Sequence, residues 1–126
     1  MANFGVGIVG CGHNGGNHAN VWRSIDEATI IGVCDIDETA AGELAGALGV
    51  KAFTRVEDLV AESGVDAIDV VTSGSHRDSA VTAAEAGKHV MVENPFAVTV
   101  QEADDMIAAA EKAGVNLMYA QTWRFL

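Results

Sequence analysis

The chain has 126 residues, enough for one domain that buries roughly two thirds of its unfolded surface around a single core. Its formal charge of −11 repels phosphate backbones, and its seven lysines and arginines are scattered and form no basic stripe, which excludes nucleic acid as the expected partner. The longest apolar run falls far short of the ~20 residues of a membrane span, and the start MANFGVGIVGCG lacks a secretory signal's basic residues and cleavage site; a cytoplasmic protein without membrane contact is expected.

The acidity fits solubility and equally permits adaptation to high salt. Phe4 to Val9 reads as a buried strand leading into Gly10-Cys11-Gly12-His13-Asn14-Gly15, after which helical spacing covers Gly15 to Ile25. A second strand, Ala28 to Cys34, precedes a helix over Glu38 to Leu48 that Asp37 caps and Gly49 closes. A short strand, Lys51 to Phe53, is followed by a helix over Arg55 to Glu62, where Thr54-x-x-Glu57 reads as a capping box. The fourth strand, Asp66 to Thr72, gives way to the small polar loop Ser73-Gly74-Ser75 and a helix over His76 to Ala86 ending at Gly87, with Ser75 as its cap. Lys88 to Val92 forms the fifth strand, and Thr99-x-x-Glu102 starts a helix over Val100 to Ala113 that stops at Gly114. Asn116 to Ala120 is the sixth strand.

Strict alternation of six strands and five helices predicts an α/β domain: a doubly wound, parallel six-stranded sheet with helices on both faces and strand order 3-2-1-4-5-6. The last residues include Trp123, Phe125 and Leu126, three large apolar side chains beyond the last strand, so self-association or contact with further chain is expected there.

Gly10, Gly12 and Gly15 complete a G-x-G-x-x-G turn between strand and helix. The first glycine permits the turn, the second lets backbone approach a pyrophosphate, the third packs helix on strand, and the helix N-terminus adds partial positive charge. His13 and Asn14 lie inside this loop, where backbone contact with a cofactor is expected. Asp35 stands twenty positions beyond Gly15, at the end of the second strand, where a carboxylate accepts from ribose hydroxyls and repels a 2′-phosphate. Ile36, Asp37 and Glu38 bring no cation for that phosphate, so NAD is favoured over NADP.

Ligands of open parallel sheets cross the carboxyl ends of the strands. That rule adds Thr72, Ser73 and Gly74 after strand four and Glu93 and Asn94 after strand five, the latter near the nicotinamide end. His76 reads equally as a ligand contact or as a packing and capping residue, and His18 reads as structural. Cys11 and Cys34 have no metal-type spacing, no metal site is expected, and both read as small buried residues.

GIVGCGHNGGNHA (7–19), VCDID (33–37), AGKHVMVENPFAVTVQEAD (86–104) and WRF (123–125) resemble, in order and spacing, the N-terminal Rossmann domain of the Gfo/Idh/MocA oxidoreductases, which include glucose-fructose oxidoreductase and inositol dehydrogenases. The resemblance implies NAD-dependent hydride transfer on a sugar, cyclitol or related polyol, and it adds Trp123 and Arg124 to the cofactor residues. Three departures accompany it. The family's Glu-Lys-Pro is Glu93-Asn94-Pro95 here, which leaves the catalytic residue unassigned with Asn94 as the candidate position, because an amide does not titrate near neutrality. The loop from Thr72 to His76 lacks the family's proline and is one residue shorter. The family's second domain, which supplies substrate pocket and dimer surface, is absent, so residues 1–126 are expected to be the dinucleotide-binding domain alone. A non-catalytic NAD module, or a relative that cleaves glycosides with transiently used NAD, remains open.

Overall fold

In the computed structural model, which describes residues 3–125, Phe4–Val9 forms β1, with Val6 and Ile8 turned to one face of a sheet and Val9 to the other. The chain continues through α1 (His13–Arg23), β2 (Ala28–Cys34), α2 (Glu38–Leu48), β3 (Lys51–Phe53) and α3 (Val56–Val60). It then forms β4 (Ala67–Val70), α4 (Arg77–Glu85), β5 (His89–Glu93), α5 (Val100–Ala113) and β6 (Leu117–Ala120), and closes in a 3₁₀ turn at Thr122–Phe125. Every strand pairing is parallel and the order is β3-β2-β1-β4-β5-β6, the topology predicted from the alternation.

The sheet is a six-stranded layer between two helical ones. On one side α1 and α2 lay Ala19 and Ala45 against Val6, Ile8 and Val33. On the other, α3 to α5 bring Leu59, Ala80, Ala83 and Met106 onto Val9, Ile68, Val70, Val90 and Val92. Alanine at these contacts lets the helices lie close to the strands. Val6, Ile8, Val33, Ile68, Val70 and Val92 are wholly buried, each worth about 1.5–3 kcal/mol of transfer free energy. Among the described residues no helix is long and apolar enough to cross a membrane.

Element ends depart from expectation where a local bond intervenes. α1 begins at His13, two residues early, because Gly12 is extended and its carbonyl already accepts from Gly16 N at 3.0 Å. His13 and Asn14 therefore belong to the first turn of the helix. β4 is shorter than predicted: the Asp66 carboxylate is occupied with Gly5 N at 2.7 Å, and beyond Val71, whose amide reaches Val9 O, the chain leaves the ladder. α4 starts one residue late, with Ser75 Oγ accepting from Arg77 N at 3.3 Å. Lys88 stays out of β5, its amide held by Ala83 O at 3.0 Å, and Glu93 joins the strand opposite Ala120.

The two expected capping boxes behave differently. Thr99 Oγ1 accepts from Glu102 N at 3.1 Å, while Glu102 reaches past the cap to Val98 N at 3.3 Å. Thr54 does not cap α3; Arg55 holds that position without a side-chain bond. Asp37 accepts from Thr39 N and Ala40 N as predicted, and Gly49 and Gly114 close α2 and α5 in left-handed conformation. Trp123 and Phe125 are exposed at the 3₁₀ turn; Leu126, the third residue of the apolar end, lies outside the described residues.

Thr99→Ala is expected to lower stability by about 1 kcal/mol, the usual cost of a lost cap, whereas Thr54→Ala should change it by less than about 0.5 kcal/mol. Urea unfolding of both variants checks this; equal losses would mean that Thr54 caps after all.

Candidate functional site

Because all strands run the same way, their carboxyl ends share one edge, and a cleft opens there between the turn after β1 and the segment after β4. Gly10 makes that turn with φ 110°, and a Cβ at this residue would stand 2.8 Å from the Val71 carbonyl carbon. Only glycine meets both conditions. A Cβ on Gly15 would fall 1.9 Å from Gly10 O, so α1 rests directly on the turn. Gly12 is the opposite case: nothing lies within 4 Å of its Cβ position, and its backbone borders open space. The N-terminus of α1, with no acidic residue in its first turn, adds partial positive charge at the same place.

The cleft encloses about 420 Å³ and is lined by Gly10, Gly12, His13, Asn14, Asp35, Ile36, Val71, Thr72 and Ser73. Asp35 is clamped by two backbone donors: Cys11 N gives to Oδ2 and Asp37 N to Oδ1, both at 2.9 Å. A carboxylate accepts about four hydrogen bonds, so each oxygen keeps a free lone pair. Beside it Ile36 is 95% exposed. Beyond the rim, Asp35 and Ile36 also border a hollow of about 290 Å³ with Thr54, Arg55 and Glu57. Arg55 Nε lies 3.8 Å from Glu57 Oε2 in an exposed pair.

The structure thus brings together the glycine loop, His13, Asn14, Asp35, Ile36, Thr72 and Ser73. Gly74 sits in the exposed loop behind Ser73 with φ 77° and does not line the cleft. His76 is 2% exposed, its Nε2 donating to Thr72 O at 2.9 Å with Phe96 O 3.4 Å from Nδ1; of its two readings the packing one fits, because both nitrogens face carbonyls of the fold. Trp123 and Arg124 are exposed and are not among the residues that line the cleft. Cys34 is buried and Cys11 partly so, both free; burial, with the Asp35 charge behind it, pushes the Cys11 thiol up to about 11, and burial pushes Cys34 up to about 12.

At the end of β5, Glu93 and Asn94 are not among the residues that line the cleft; Glu93 Oε1 accepts from the Asn94 backbone N–H at 2.8 Å, and Asn94 Oδ1 accepts from the Tyr119 hydroxyl at 3.3 Å. The Asn94–Pro95 peptide is cis. Phe96 packs edge-on against Tyr119 with ring centroids 5.5 Å apart.

Sequence reasoning missed what lies beneath. His18 on α1 stands between two carboxylates, with Nδ1 2.8 Å from Asp69 Oδ2 and Nε2 2.6 Å from Glu93 Oε2. Trp22 Nε1, one turn along α1, donates to the same Asp69 oxygen at 2.8 Å, while Asp69 Oδ1 is buried without a partner among the described residues. The hydrogen bond to Asp69 raises the His18 pKa from 6.5 to about 9, with the charges of Asp69 and Glu93 adding to it against the opposing effect of burial. The available signal was Asp69 itself, a carboxylate inside the apolar run of β4 that burial forces to find a donor.

A parallel sheet of this order with a glycine turn, an open helix N-terminus and a clamped carboxylate at the end of β2 defines a dinucleotide-binding domain. The sequence pattern of the Gfo/Idh/MocA oxidoreductase family, described as having an NAD-binding Rossmann fold, matches residues 4–121. The chain belongs to that family. It is 35% identical to D-apiose dehydrogenase of Paraburkholderia graminis over 97% of its own length and 33% of the relative's. It is 33% identical to myo-inositol 2-dehydrogenase of Thermotoga maritima, covering 95% of this chain and 36% of that one. Among solved structures, the WlbA dehydrogenase of Bordetella pertussis in complex with NADH and UDP-GlcNAcA superimposes with a TM-score of 0.91 at 31% identity, over 97% of this chain and 38% of that one. The chain thus spans about a third of the length of the curated relatives it matches.

His18 binds its proton more tightly folded than unfolded, so its contribution to stability is full below pH 6.5, fades as the pH rises and is gone above about 9. Thermal unfolding followed across this range should show the wild type losing its margin over His18→Gln as pH rises. A constant margin would contradict the charged bridge.

Proposed function

We propose that the cleft binds NAD in preference to NADP and that the chain is the cofactor half of an oxidoreductase acting on a sugar, cyclitol or related polyol in the cytoplasm. Asp35 carries this reading. Held by two backbone amides, it keeps one free lone pair on each oxygen for the ribose hydroxyls, and its negative charge stands where a 2′-phosphate would lie. Among the described residues no lysine or arginine lines the cleft; Arg55 is the cation of the adjoining hollow, and Glu57 beside it offsets its charge.

The residues present fit a dinucleotide. The open space over Gly12 and the α1 N-terminus take the pyrophosphate, the exposed Ile36 offers an apolar surface at the adenosine end, and Thr72 and Ser73 border the middle. When bound, NAD accepts the hydride of an alcohol carbon. The chain's own part is to hold and orient it. Asn94, its carbonyl engaged by Tyr119, can position a neighbouring group but cannot take up the substrate proton near neutrality. That favours a second reading, an NAD-holding module without turnover, for the 126 residues taken alone. The exposed Trp123 and Phe125 support association of this end with a second copy or with further chain.

Titration of the chain with NADH and NADPH is expected to saturate more tightly with NADH, and Asp35→Ala to weaken NADH by roughly 1–3 kcal/mol, the range for charged hydrogen bonds left unmade. Preference for NADPH, or an unaltered affinity in the variant, would overturn the role given to Asp35. With NAD and myo-inositol or D-glucose, the chain alone is expected to show no NADH formation at 340 nm; turnover would exclude the module reading.

A further inference from the structure

The bridge through His18 ties one helix to two strands. It joins three elements whose outer ends border the cofactor edge in different places: α1, which begins at the glycine turn; β4, whose continuation is Val71–Thr72; and β5, whose continuation is Asn94. Two of its contacts are short and tie an imidazole to carboxylates, the kind of hydrogen bond that fixes geometry most firmly. Asp69 is 1% exposed and anchors the ring from the sheet, with Trp22 fixing the same oxygen. On the other side His18 takes one oxygen of Glu93, which leaves the second oxygen to hold the Asn94 amide at 2.8 Å.

We propose that His18 is a positioning residue for the nicotinamide half of the dinucleotide: by fixing Glu93 between its ring and the Asn94 backbone N–H, it sets the position of the Glu93-Asn94-Pro95 segment at the carboxyl end of β5, next to the strand whose continuation borders the cleft. This rests on the NAD reading above. No lining residue of the adenosine half takes part in the bridge, so its effect is confined to one end of the ligand. Asp69 from β4 and Glu93 from β5 are the charged groups that face the ring, and Trp22 completes its surroundings on α1. The ring carries its charge up to about pH 9, so the setting holds across neutral pH and loosens above it.

Comparing NADH with ADP-ribose, which keeps the adenosine and pyrophosphate but lacks nicotinamide, separates this role from a structural one. In the 126-residue chain, His18→Gln and Glu93→Gln are each expected to weaken NADH roughly tenfold while leaving ADP-ribose within about twofold, because both lose the charge-assisted bond between His18 and Glu93 and neither removes a bond to a residue that lines the cleft. The change in nicotinamide fluorescence on binding should be reduced in both variants, and in the wild type above about pH 9. Parallel loss of both ligands would show that the bridge only holds the fold, and unchanged affinity for both would show that it holds nothing the ligand needs; either result overturns the proposal. A wild-type chain that binds neither ligand would overturn the NAD reading first and this inference with it.

Discussion

The cofactor edge depends on the carboxylate of Asp35 accepting from Cys11 N and Asp37 N at once. The bond from Cys11 N fastens the glycine turn to the end of β2, and the bond from Asp37 N fixes the carboxylate from its own side; among the described residues Asp35 is the one acidic side chain that lines the cleft. The turn can be fastened so because Gly10 adopts a conformation other residues avoid and Gly15 lets α1 lie against its carbonyl. Gly12 then borders open space. An acidic chain has thereby made, from backbone alone, a place where anionic groups are tolerated.

A second fastening operates at the far side. The His18 imidazolium offsets part of the charge of two carboxylates, Trp22 gives a second bond to the Asp69 oxygen that His18 engages, and the Asn94 backbone N–H takes the other oxygen of Glu93. The unpartnered Asp69 Oδ1 shows that satisfaction is incomplete.

Much of the fold was legible because its rules are local and repeated. Alternating apolar periods gave six strands and five helices, and the preference for right-handed crossovers left one simple strand order. What failed was equally local. Thr54-x-x-Glu57 has the letters of a capping box, but α3 is too short and begins after Arg55, so the hydroxyl is not placed to cap it. α1 starts at His13 because one carbonyl-to-amide bond at Gly12 already closes its first turn. Of the candidate site, the glycines and Asp35 could be read because their chemistry depends on spacing along the chain. His18, Asp69 and Glu93 are 51 and 24 residues apart and meet only through sheet register and helix packing, which spacing does not encode. His76 shows the reverse: a histidine at a promising loop end that burial assigns to the fold.

The role of each residue at the sheet edge depends on where a dinucleotide lies along it. Amide chemical-shift mapping of the 126-residue chain during addition of NADH tests this most directly. The largest changes are expected at Cys11 to Asn14, Asp35 to Asp37 and Thr72 to Ser73, with a further group at Glu93 and Asn94. Changes confined to the opposite edge of the sheet, around Phe4, Asp66 and His89, would contradict this placement.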